Sequence, residues 1–227
     1  MKSYLNHNTD RSSSEVSRLF EDTCERLREQ NMTLVPLEDD SLSPGNLSAA
    51  EVQLLEFKEA VNSYLKSPGH AQYPLRMEDI AASGLVDLFA VGPTWKTALS
   101  PAMTTESPEY AARLQRIEVI KFALVTVFAE HQLDAIIYPH QTVLVATVGS
   151  PVQPGRNGLL TSLTGTPGLV IPMGFSERTT TAKLGVPVGM EVIGLWGQDH
   201  KILAIGEMLE GMLLQRMEPI LEEAGQT

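Results

Sequence analysis

Between Ala135 and Phe175 the chain carries one charged residue, Arg156. Inside that stretch lie two short apolar runs. Ala135-Ile136-Ile137-Tyr138 is closed by Pro139, and Gly168-Leu169-Val170-Ile171 is closed by Pro172. A third run, Val188 to Leu195, follows. Runs of this length, apolar on both faces and rich in β-branched residues, predict strands buried between helix layers. Proline lacks the N–H that would extend a ladder, so it marks where pairing ends. A membrane helix is excluded for the longest charge-free candidate, Ala135 to Gly155. Pro139, His140, Gln141, Gly149, Pro151 and Pro154 interrupt it, and a spanning helix needs about 20 apolar residues in succession.

Helical periodicity surrounds these strands. Ser13 or Ser14 predicts a cap, with Val16, Leu19, Phe20, Cys24 and Leu27 along one stripe. Thr33 to Leu37 predicts a short strand. Ser48 predicts the start of a helix reaching Leu65, with Leu54, Phe57, Val61 and Leu65 inward and Ser67-Pro68-Gly69 as its stop. Residues 68–106 read as irregular, apart from a short helix over Met77–Ala82, with Phe89 and Trp95 covering core. Ser107-Pro108-Glu109 combines a cap, a first-turn proline and an acid at the positive dipole end. It opens a helix to His131, with Leu114, Ile117, Ile120, Leu124 and Val127 inward. Asp199 opens a last helix. The class is therefore α/β: a mixed β-sheet core flanked by helices, with a polar tail over 1–12 and one domain over 13–227.

Charge and composition narrow the function. The 227 residues include 28 acids and 17 bases, a net charge of −11. Phosphate backbones and anionic membrane surfaces repel such a chain, so neither nucleic acid nor membrane is an expected partner. A single cysteine, Cys24, cannot form an internal disulfide. Met1 to Ser14 has no apolar run of the secretory kind. Both point to a reducing, cytoplasmic setting. The histidines His7, His70, His131, His140 and His200 form no metal-ligand pair. No phosphate loop, dinucleotide fingerprint or hydrolase elbow is present, so no metal or cofactor is expected.

The glycine and proline punctuation is more informative. Thr164-Gly165-Thr166-Pro167-Gly168 leads into one strand, which leaves through Pro172-Met173-Gly174-Phe175, and Gly185-Val186-Pro187-Val188-Gly189 leads into the next. With Leu133 to Gln141, Gly155-Arg156-Asn157-Gly158 and the helix from Asp199, this order resembles the C-terminal half of the amidase signature family. Leu54 to Leu65 is similar to a helix earlier in that half. The resemblance implies hydrolysis of a carboxylic amide C–N bond. It also implies a pocket wall lined by His140, Gln141, Arg156, Asn157 and the Gly165 backbone, polar groups in an otherwise apolar stretch that need a reason to be there.

The family's reactive machinery is a lysine and two serines in a Gly/Ser-rich signature. A serine needs a base to become a nucleophile, and the lysine serves as one only when desolvated. The one serine run here, Ser12-Ser13-Ser14, is flanked by Arg11 and Glu15 rather than glycines. No catalytic residue can be carried onto this chain. The expectation is a fragment-like polypeptide, inactive alone, that would bind a small amide substrate if completed by an N-terminal half. An exposed sheet edge would favour self-association. A non-catalytic pseudoenzyme or interaction module is the alternative, and a tRNA-dependent amidotransferase-type subunit a further one.

Overall fold

The three apolar runs pair with one another. In the computed structural model, which describes residues 2–3, 14–67, 69, 76–150 and 152–218, four strands form one sheet. They are β1 (Lys2–Ser3), β2 (Ile136–Pro139), β3 (Gly168–Phe175) and β4 (Pro187–Ile193), in the order β1-β2-β4-β3. β4 lies antiparallel to both β2 and β3, while β1 lies parallel to β2. The sheet is thus mixed. Lys2 and Ser3, at the start of the predicted tail, belong to it; the rest of 1–12 lies outside the described residues.

Alternation along the strands divides the interior in two. Ile136, Tyr138 and Ile193 face a cluster with Ile117, Ile120, Leu124, Val127 and Phe128 of a long helix. Ala135, Ile137, Met190 and Val192 face the opposite cluster, with Phe20, Cys24 and Leu27 from the first helix and Ile202, Ile205 and Leu209 from the last. This is why these runs are apolar on both faces: each face has its own helix layer.

The helices, in chain order, are α1 (Ser14–Glu29), α2 (Pro44–Ala49), α3 (Gln53–Leu65), α4 (Met77–Ala82), α5 (Leu88–Ala98), α6 (Pro108–His131), α7 (Leu159–Thr164) and α8 (Asp199–Leu213). α6 starts where the cap signal placed it. The Tyr110 N–H donates to Ser107 Oγ at 3.1 Å, with Pro108 in the first turn. It ends at Gln132 in the left-handed conformation, and the Leu133 N–H returns to the Phe128 carbonyl.

Five expectations need correction. Pro172 does not close its strand: β3 pairs with β4 through it to Phe175, with a register shift between Pro172 and Gly174. Thr33–Leu37 is no strand: only Pro36 touches a bridge, and the segment spends its apolar side chains on packing, with Leu37 buried and Leu34 against the core. Ser48 does not start the second helix. Ser43 caps α2 ahead of Pro44, and the chain then breaks before α3 begins at Gln53. That shift turns Leu55 inward and leaves Leu54 exposed. Residues 88–98, read as irregular, form α5 despite Pro93 in its interior. Leu114 is 40% exposed rather than inward. Trp95 is half-buried, while the Phe89 side chain, the Ser13 cap and Pro68 lie outside the described residues. Among the described residues no helix is long and apolar enough to cross a membrane.

Candidate functional site

The site is built where β2 leaves the sheet. Pairing with β4 runs one residue past Pro139, because the His140 N–H donates to the Gly189 carbonyl at 3.0 Å. Beyond that point the chain leaves on a loop and comes back alongside itself. Gln141 bridges Arg156, and the Thr142 N–H meets the Gly155 carbonyl at 2.8 Å. Asn157, 7% exposed, fixes the return by donating from Nδ2 to the Pro139 carbonyl at 2.7 Å. Arg156 turns outward to pair with Glu51, which precedes α3.

Gly158 then brings the chain against the imidazole. A Cβ there would stand 2.5 Å from His140 Cε1 and 3.0 Å from Glu191 Oε2, so glycine is a steric requirement of the approach. α7 follows and sets Thr161 over the centre of the sheet. Below it, Glu191 stands on β4 between Tyr138 of β2 and Val170 of β3, and is 4% exposed.

The polar atoms close into a chain. His140 Nδ1 lies 2.9 Å from Glu191 Oε2, and Thr161 Oγ1 donates to Glu191 Oε1 at 2.6 Å. Burial pushes the Glu191 carboxyl up. The hydrogen bonds from His140 and Thr161, the His140 charge and the Tyr138 hydroxyl outweigh it, and the net direction is below the usual carboxylate range. The hydrogen bond to Glu191 raises His140. Burial and the Arg156 charge oppose that rise, and the Glu191 charge reinforces it. The pair is therefore an imidazole hydrogen-bonded through Nδ1 to a buried carboxylate, each holding the other's charged form. The His140 side chain is 40% exposed, and among the described residues no hydrogen bond engages its Nε2.

Of the residues expected to line a pocket, His140, Gln141, Arg156 and Asn157 come together at this strand exit. Gly165 stands apart, at the far end of α7. It ends α7 with φ 70°, and its N–H meets the Thr161 carbonyl at 2.9 Å. Glu191 and Thr161 escaped the sequence reading. Glu191 had a signal: it is the one charge inside the apolar run Val188–Leu195, and a buried charge needs partners. Thr161 had none, because threonines are common in short helices and only the fold sets this one above a carboxylate. Among the described residues, no group of three or more metal-ligating side chains exists. The arrangement can donate or accept a proton at Nε2.

A family model for the amidases matches residues 3–203. The chain belongs to the amidase family. Two curated amidases are similar along most of it. Mandelamide hydrolase of Pseudomonas putida is 27% identical over 224 residues, which is 88% of this chain and 41% of that protein. Indoleacetamide hydrolase of Agrobacterium vitis is 25% identical over 222 residues, 91% of this chain and 45% of that protein. The chain thus spans less than half the length of those relatives. Among solved structures, native peptide amidase from Stenotrophomonas maltophilia superposes with a TM-score of 0.70 at 22% identity, covering 95% of this chain and 43% of that one. An amidase family protein from Bacillus anthracis gives 0.66 at 19% identity, covering 97% and 40%. At that identity the two structures speak for the amidase fold and for nothing finer.

Proposed function

We propose that the chain forms the C-terminal part of an amide-hydrolase fold, walls the pocket for a small carboxylic amide with His140, Gln141, Arg156, Asn157 and the Gly165 backbone, and does not turn that amide over by itself. The observation that carries this reading is the amidase-family match over residues 3–203. The names of the two curated relatives suggest an acetamide bearing an aromatic group. Inactivity follows from chemistry. Hydrolysis through a serine needs a base beside it and donors for the oxyanion, and removing the donors alone costs about 10²–10³ in rate. No Gly/Ser-rich loop with a partner lysine occurs in the 227 residues. The same reading keeps the chain in the cytoplasm.

The test is ammonia release from phenylacetamide or mandelamide by the purified chain, alone and mixed with a polypeptide carrying the serine signature of an amidase. The expected result is none alone and measurable release in the mixture. Steady release with an acyl-enzyme burst from the chain alone overturns the inactivity.

A further inference from the structure

A carboxylate on the central strand of a sheet is expensive. The effective penalty for burying an ion is several kcal/mol, and a hydrophobic residue of similar size is often as stable or more so. Glu191 occupies such a place, on β4 with a neighbour on either side. The surroundings are shaped to it. Gly158 leaves no room for a Cβ beside His140 and Glu191, and at Gly168 a Cβ would stand 2.8 Å from Thr161 Cγ2 and 3.5 Å from Glu191 Oε1. Both carboxylate oxygens are taken, one by His140 Nδ1 and one by Thr161 Oγ1. The result is one imidazole fixed in orientation, with Nδ1 turned into the protein and Nε2 unengaged among the described residues.

We propose that Glu191 and Thr161 are positioning residues for His140, and that His140 Nε2 is the hydrogen-bonding atom the wall presents to an uncharged amide ligand. The proposal rests on the pocket-wall reading above and assigns the groups that make the wall selective. Charge decides the class of ligand. The groups facing His140 are Glu191 on β4, Arg156 on the returning loop and, paired to Arg156, Glu51 ahead of α3. Thr161 and Tyr138 add hydroxyls. Arg156 is matched by Glu51 and His140 by Glu191, so no surplus positive charge favours a carboxylate over a neutral amide. With Nδ1 given to Glu191, Nε2 is the one ring nitrogen left to offer, and an amide carries both a donor and an acceptor for it.

The test is NMR of the histidine Cε1–H resonances of the whole chain during titration with phenylacetamide and, separately, phenylacetate. The expected result is a saturable shift of the His140 resonance with the amide, at least fivefold weaker with the carboxylate. Glu191→Gln should weaken the amide response at least fivefold and bring the His140 titration back toward that of an ordinary histidine. Thr161→Val should weaken it less. No His140 shift with either probe overturns the proposal, and so does an equal or larger response to phenylacetate. His140→Gln, at a half-exposed position, keeps the test readable if Glu191→Gln fails to fold: its remaining histidine resonances should no longer respond to the amide, and a persisting response also overturns the proposal. Turnover plays no part in this readout, so ammonia release in the mixture without a His140 response separates the two readings.

Discussion

His140 and Glu191 tie stability to pH with opposite signs. The raised histidine contributes stability that is complete below its ordinary 6.5 and lost as pH rises through the higher folded value. The depressed glutamate contributes stability present above its ordinary 4.5 and lost as pH falls through the lower folded value. The pair should therefore stabilise the fold most between pH 4.5 and 6.5. A thermal melt series should show a shallow decline above that window, and His140→Gln should flatten it. Gly185 makes a second residue-scale case. Its φ is +85°, and a Cβ there would lie 2.2 Å from the Ser176 carbonyl oxygen. Gly185→Ala should cost more than about 1 kcal/mol in denaturant unfolding, whereas Gly45→Ala, where nothing lies within 4 Å, should cost far less. At this scale the sequence displayed the polar residues of the strand exit but not their grouping. His140, Asn157 and Arg156 stood out against an apolar background, while Glu191 and Thr161 lie 51 and 30 residues from their partners, so spacing carries no trace of the contact.

At the scale of elements, local chemistry was legible where it is strong. The Ser107 cap and Pro108 announced α6, and Ser107→Ala should lower stability by about 1 kcal/mol by circular-dichroism melts. α1 was legible from its stripe, and its contribution can be measured. Phe20, 0% exposed against the sheet, should cost about 3–5 kcal/mol when cut to alanine. Where local signals compete, the reading failed. Both Ser43 and Ser48 are good caps, and only the proline after Ser43 distinguishes them. α5 carries Gly92 and Pro93, which argue against a helix in isolation. Thr33–Leu37 has the composition of a strand, yet a strand also needs a partner edge.

At the scale of the molecule, the open question is which surfaces are covered. Val119, Phe122 and Val125 on α6 are 61%, 75% and 42% exposed, and Val170 on the edge strand β3 is 50% exposed. Such surface favours association. Sedimentation velocity should show concentration-dependent self-association, and Phe122→Glu should reduce it without altering the far-ultraviolet spectrum. A monodisperse monomer at high concentration would count against that expectation.

What the sequence determined by itself is the inventory of this amidase-family chain: three strands apolar on both faces, helices with caps and stripes, and the order of glycine and proline turns. These follow from local sterics and from period, which a linear string records. The tertiary structure alone decided that β4 lies between β2 and β3, and that a carboxylate, an imidazole and a hydroxyl from three elements meet at one strand exit. Those outcomes depend on which surfaces are in contact, and the energy of burying a charge exists only once the surrounding layers have excluded water.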